Sequence, residues 1–439
     1  MRKRHRHFIA VVTGAMALGL MLPAGSLADK PKGKPRPDGR ATGDGALRVL
    51  HLSGGPHDRG LAHGRKFGNE IIKLLNAFVK TERLSGGPQG YEQNVSRIGL
   101  LMTFGQAYRD EMQGIYDGVR ESSGGNMEIK SLGRNLTPED IIAMNCIADS
   151  AGFGCSSFAT WGPMTKTGDT IVARNLDWFY IPEMAANQIL VVQAPDSDSG
   201  RAGWVGVTWP GAIGCYTGMN EYGVTVSMHD VYAGAPDQPM GFTPRSLILR
   251  EAIEKARPAT AERDIMTVLK AHSVAVGNNI PVGVPYVEGT DAPPFMVFEY
   301  DGRRGIDGGV VVRRTEMLNG GGSAKSNKRM ADDRCFDVCT NHYRKRLPAE
   351  RCTRYQKLND SLTDRSKAGK PLDAAEAGRI LGLASVAPAG KTGGLLTYHS
   401  VIFEPNRRTL RVAICRGQRL ATDSDWTSFS IERLLKEGN

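Results

Sequence analysis

Cys155 heads an alternating apolar stretch, Gly154-Cys155-Ser156-Ser157-Phe158-Ala159-Thr160, and a thiol so placed is a candidate nucleophile. A turn, Lys166-Thr167-Gly168-Asp169, leads into a second apolar run, Ile171-Val172-Ala173-Arg174-Asn175-Leu176-Asp177-Trp178. If the two runs are strands of one hairpin, Arg174 and Asp177 return beside Cys155. A cation lowers a thiol's pKa, and a carboxylate can hold an amine in place. An isolated Arg-x-x-Asp is ordinarily a strand-end surface ion pair. Coming one hairpin after a Gly-Cys, this one reads as chemistry.

Two further stretches carry amides and cations. Gly218-Met219-Asn220-Glu221-Tyr222-Gly223-Val224 is a hairpin turn in its own right, since Asn-x-x-Gly between apolar runs favours one. Thr340-Asn341-His342 is followed by Arg351-Cys352-Thr353-Arg354-Tyr355. An uncharged amide stabilises developing negative charge without itself titrating. His229-Asp230 would suit the base and orienter of a papain-like thiol enzyme, but no Cys-Gly-Ser-Cys-Trp context surrounds Cys155, so a hydrogen-bonded strand-end histidine is expected. Gly320–Ser326 reads as a loop rather than a phosphate cradle. Asn278-Asn279 reads as a turn.

The elements that position these residues follow from pattern. His51–Gly64 is a glycine-punctuated turn leading into a helix at about 58–82, with His57 and His63 in packing rather than catalytic roles. Residues 97–121 read as one amphipathic helix. Another starts at Thr137-Pro138, with Thr as N-cap and Pro at the first helical position, and stops near Ser150. Gly152-Phe153-Gly154 is then an extended, flexible connector into Cys155. Short apolar runs follow at 156–161, 170–175, 188–194, 203–208, 223–228, 295–300, 309–313, 399–404 and 409–415. Helical patterns fall near 244–256, 260–271 and 373–384. Strands enclosing helices predict layered α/β packing in one body.

Together these motifs, in this order, resemble the cysteine N-terminal-nucleophile (Ntn) hydrolases, specifically the choloylglycine hydrolase and acyl-CoA:6-aminopenicillanic acid acyltransferase (peptidase C45-like) group. The resemblance implies an α+β fold, the four-layer αββα Ntn-hydrolase sandwich, as a single domain processed into two chains, 46–154 and 155–439. It implies that the freed α-amine of Cys155 is the base, Asp177 holds that amine, and Arg174 shapes the thiolate environment. Asn220 becomes an oxyanion or acyl-oxygen contact, Asn341 the principal oxyanion donor, and Arg354 an electrostatic partner with Arg351 as competitor. The implied function is hydrolysis of a linear amide in a small-molecule N-acyl substrate through a thioester, without cofactor or metal. Acyl transfer to an amine, or an idle envelope binding protein, are the alternatives.

The net charge of +10 would suggest an anionic partner, but nine of the basic residues lie in the first forty positions. No basic stripe interleaved with aromatics follows, which argues against nucleic acid. Arg2-Lys3-Arg4-His5-Arg6-His7, an apolar run to about Pro23 and Ser26-Leu27-Ala28 make a secretory signal over 1–28, with a flexible basic leader over 29–45. A secreted or periplasmic protein, with no membrane insertion after signal removal, is expected. Seven cysteines leave six besides Cys155. Among Cys335, Cys339 and Cys352 a disulfide is expected over zinc, because the spacing is a poor zinc signature.

Overall fold

The computed structural model describes residues 47–150, 152–195, 199–232, 236–289, 294–305, 307–314, 335–348, 350–388 and 394–437. The signal, the leader and the Gly320–Ser326 loop lie outside these residues.

Two sheets organise the chain. A nine-stranded sheet runs β1 (Arg48–Leu52), β6 (Ile189–Gln193), β7 (Trp204–Thr208), β8 (Thr217–Asn220), β9 (Thr225–Ser227), β11 (Gly277–Gly283), β12 (Phe295–Tyr300) and β13 (Val310–Arg313), with β10 (His229–Val231) also on β11. A six-stranded antiparallel sheet runs β14 (Phe336–Cys339), β4 (Gly154–Gly162), β5 (Gly168–Phe179), β15 (Leu395–Glu404), β16 (Thr409–Ile414) and β17 (Thr427–Ser430). A small ladder pairs β2 (Glu128–Ile129) with β3 (Arg134–Asn135). In chain order the helices are α1 (Pro56–Val79), α2 (Glu82–Ser85), α3 (Gly87–Leu101), α4 (Gln106–Ser122), α5 (Pro138–Asn145), α6 (Ile147–Ser150), α7 (Pro182–Ala186), α8 (Arg245–Lys255), α9 (Ala261–Ala271), α10 (Thr353–Lys367), α11 (Ala374–Gly382) and α12 (Ile431–Glu437).

Strand alternation distributes side chains between cores. Ala159 of β4, Val172 of β5 and Phe403 of β15 meet Leu190 of β6, Val205 of β7 and Val297 of β12, so the two sheets share one apolar cluster. The neighbouring residues Phe158, Ala173 and Ile402 turn the other way, onto Leu358 and Leu362 of α10 and Leu381 of α11. Each fully buried Val, Leu, Ile or Phe among these contributes about 1.5–3 kcal/mol. A third cluster joins α1, α4, α8 and α9 to Val191, Val282 and Phe298 of the larger sheet.

α1 lies against α4 along a seam of small residues. A Cβ at Gly60, Gly64, Gly114 or Gly118 would run into backbone of the facing helix. The glycines near His57 and His63 therefore serve close helix packing. His57 pairs with Asp117 at 3.0 Å on the surface, and His63 accepts the Gly211 N–H at 2.9 Å in the interior.

Three sequence expectations need correction. Residues 97–121 form parts of two helices, because Met102 and Thr103 leave the helix to meet Phe242, the Thr103 N–H donating to its carbonyl at 2.7 Å. Asn278-Asn279 lie within strand β11, not in a turn. None of the seven cysteines is disulfide-bonded. Cys335 and Cys339 sit at opposite ends of the same extended segment, about 13 Å apart at ~3.3 Å per residue, beyond disulfide reach.

Candidate active site

The register of the β4–β5 hairpin sets the site. Cys155 faces Leu176 and Ser157 faces Arg174, so Cys155 and Arg174 project from the same face. Gly168, at φ +79°, supplies the left-handed residue of the connecting turn. Arg174 Nη2 lies 3.4 Å from Cys155 Sγ and donates to Met228 O at 3.0 Å. The thiol itself donates to the same carbonyl at 3.1 Å. Both side chains are fully buried. Burial pushes the Cys155 thiol up to about 12, against the pull of Arg174, with Asp177 and Asp230 adding to the rise. The thiol is therefore stored protonated.

Asp177 faces Gly154 on one side and Thr397 on the other, at the opposite face of the strand from Arg174. Its Oδ1 accepts from Thr397 Oγ1 at 2.6 Å and its Oδ2 from Arg354 Nη1 at 2.9 Å. Burial raises the Asp177 carboxyl's pKa, although Arg354 and Thr397 draw it back. Arg354 Nη1 also donates to Cys155 O at 2.8 Å, and its Nη2 to Asn341 Oδ1 at 2.7 Å. The circuit closes at Cys155 N–H, which donates to Asn341 Oδ1 at 2.7 Å. The nucleophile's nitrogen thus meets Asn341, while Asp177 fixes the guanidinium beside it. Asn341 Nδ2 donates to Phe153 O at 3.1 Å and Asp230 O at 2.8 Å. Arg351 is exposed, and Arg354 is the arginine at the site.

The structure brings together Cys155, Arg174, Asp177, Asn341 and Arg354. Asn220 stands apart from them in its hydrogen bonding. Its Nδ2 donates to Ile253 O and Ala256 O, both at 2.9 Å, and its Oδ1 accepts from Tyr222 N and Val224 N, both at 3.0 Å. All four of its hydrogen-bonding positions are filled by the turn and the end of α8.

Several supporting residues escaped the sequence reading. Asn279 Nδ2 donates to Thr340 O and His342 O, both at 2.9 Å, clamping the loop that carries Asn341. Asp230 Oδ2 accepts the Phe153 N–H at 2.5 Å, and Arg245 ties Asp230 to Asp149. The connector into Cys155 is thereby pinned on a buried ionic network, with Gly152 under Tyr232 where a Cβ would collide. The doublet His229-Asp230 was the available signal for this network, though not for the part it plays. His229 itself meets Ser157 Oγ at 2.6 Å, and burial drives its pKa well below the usual value. Beside the connector is an apolar cavity of ≈ 40 Å³ lined by Leu75, Phe78, Phe153, Trp178, Trp209 and Tyr216, among others. Among the described residues no group of three His, Cys, Asp or Glu is placed to hold a metal ion, and no helix is long and apolar enough to cross a membrane.

No protein-family model matches the chain. An uncharacterized protein of Archaeoglobus fulgidus is 25% identical over 211 residues, a match spanning 42% of this chain and 33% of that protein's length. Similar solved structures include a Caenorhabditis elegans ortholog of N-acylethanolamine-hydrolyzing acid amidase, at TM-score 0.37 and 17% identity over 63% of this chain and 99% of that one. Conjugated bile acid hydrolase of Clostridium perfringens aligns at TM-score 0.40 and 12% identity, covering 64% and 94% of the two chains. Penicillin V acylase of Agrobacterium tumefaciens aligns at TM-score 0.40 and 16% identity, covering 64% and 89%.

Proposed function

We propose that this chain is an exported, self-processing amidase of the cysteine Ntn-hydrolase type, built on the four-layer αββα sandwich and cut between Gly154 and Cys155 into two chains. One observation carries the reading: Arg354 joins Asp177, Asn341 and the Cys155 carbonyl in a closed circuit around the nucleophile's own backbone.

In the proposed reaction the Cys155 α-amine, freed by the cut, takes the thiol proton. An α-amine titrates near pH 7.7–8.0, so it can serve as a base around neutrality. The sulfur attacks the acyl carbon of a small N-acyl substrate, Arg174 stabilises the thiolate, and the amine returns its proton to the leaving nitrogen. Water then opens the thioester by the same route. Asn341 Nδ2, spent on Phe153 O in the uncut chain, becomes available to the acyl oxygen once the connector withdraws. A signal peptide over 1–28 would carry the protein out of the cytoplasm.

Mass spectrometry of the purified protein tests this. A chain beginning at Cys155 is expected, and Cys155→Ala should stay whole. Full amidase activity from an uncut chain overturns the proposal.

A further inference from the structure

β15 contributes two side chains to this region on opposite faces, which a regular strand could not do from positions two apart. Thr397 pairs with Asp177 and His399 with Leu176, so Tyr398 is an extra residue, a β-bulge. The bulge sends Thr397 to the Asp177 face and His399 to the Cys155–Arg174 face. There the fully buried His399 ring has three polar neighbours. Its Nε2 lies 3.1 Å from Arg174 Nη1 and 3.0 Å from Thr217 Oγ1, and its Nδ1 lies 2.9 Å from Gln188 Oε1.

These contacts fix the tautomer from both ends. A guanidinium only donates, so Nε2 must carry the lone pair. At the other end, Gln188 Nε2 donates to Tyr398 O at 3.0 Å, which leaves the amide oxygen to accept from Nδ1–H. Burial and the neighbouring Arg174 charge keep the ring neutral.

We infer that His399 is a positioning residue: an uncharged acceptor that aims Arg174 at the Cys155 thiol without neutralising its charge. Among the described residues, no carboxylate lies within ion-pair distance of Arg174, whose hydrogen-bond acceptors are His399, Met228 O and the thiol. A carboxylate in place of the imidazole would hold the guanidinium equally well but take the charge that the thiolate needs. The inference rests on the amidase reading for its catalytic meaning, though not for its measurement.

The test follows modification of Cys155 by a small methylthiolating reagent as a function of pH, with the adduct counted on the Cys155 peptide and folding checked by thermal unfolding. His399→Leu should slow modification about tenfold at each pH below the thiol's own value of about 12, the loss that one unit in its ionisation would give. His399→Gln, which keeps a neutral acceptor, should restore most of the rate. If His399→Leu does not fold, Gln188→Leu replaces it: freeing Nδ1 lets the ring turn a proton toward Arg174, and the rate profile should again fall. An unshifted profile in a folded His399→Leu or Gln188→Leu protein overturns the role of His399 and leaves the amidase reading standing. A shifted profile in a protein without amidase activity does the reverse.

Discussion

Asn341 and Asn220 are the same side chain in opposite circumstances. Asn341 spends its amide on the backbone on both sides of Gly154, at Phe153 O and Cys155 N–H, and on Asp230 O, whereas Asn220 spends all of its hydrogen bonds inside a turn and a helix end. Asn341→Ala should lower turnover by about 10²–10³, the usual cost of one oxyanion donor, with thermal stability less affected. Asn220→Ala should instead cost about 1–3 kcal/mol of stability through stranded buried partners, with near-normal turnover per folded molecule. Kinetics measured beside denaturant unfolding separates them; equal kinetic losses would return Asn220 to the chemistry. Cys352 offers a different test. Burial would raise its thiol, but hydrogen bonds from His342 and the Tyr355 N–H, with the Arg354 charge, bring it to about 6. It is therefore ionised above about pH 6, while the buried Cys155, Cys215 and Cys339 stay protonated. Brief iodoacetamide treatment at pH 7 should label Cys352 ahead of those three. Labelling that begins only near the ordinary thiol value of about 8.5 would contradict this.

At the level of elements, legibility followed local chemistry. The β4–β5 hairpin was readable because alternation and a Lys-Thr-Gly-Asp turn agree, and α5 because Thr137 and Asp140 form a capping box around Pro138. The break between α3 and α4 was not readable. Its cause is the Phe242 backbone, more than a hundred residues away, which captures Thr103 while the apolar pattern continues. β11 was hidden by Asn278, Asn279 and Pro281, residues that ordinarily mark turns; here the buried Asn278 side chain accepts from the His229 N–H, and that of Asn279 donates to the Thr340 and His342 carbonyls. The bulge at Tyr398 left no mark in the pattern either, so His399 reads only as the start of an apolar run, with no role of its own. The α1–α4 seam yields its own prediction. Gly64→Ala would press a methyl into the Ile115 carbonyl and should cost about 1–3 kcal/mol, seen as a lower thermal midpoint. An unchanged midpoint would mean that the helices separate freely.

Across the whole molecule, the residues before Cys155 do more than precede it. β1 runs parallel to β6 over five residue pairs, from Arg48 with Ile189 to Leu52 with Gln193. A polypeptide that began at Cys155 would lack β1, and β6 would become the border of the larger sheet. Its outward row of N–H and C=O groups would stand open as a template for any extended chain, including another copy. Seated on β6, the N-terminal piece covers that row. Severing the chain at Gly154 is compatible with a soluble product only if that piece remains seated.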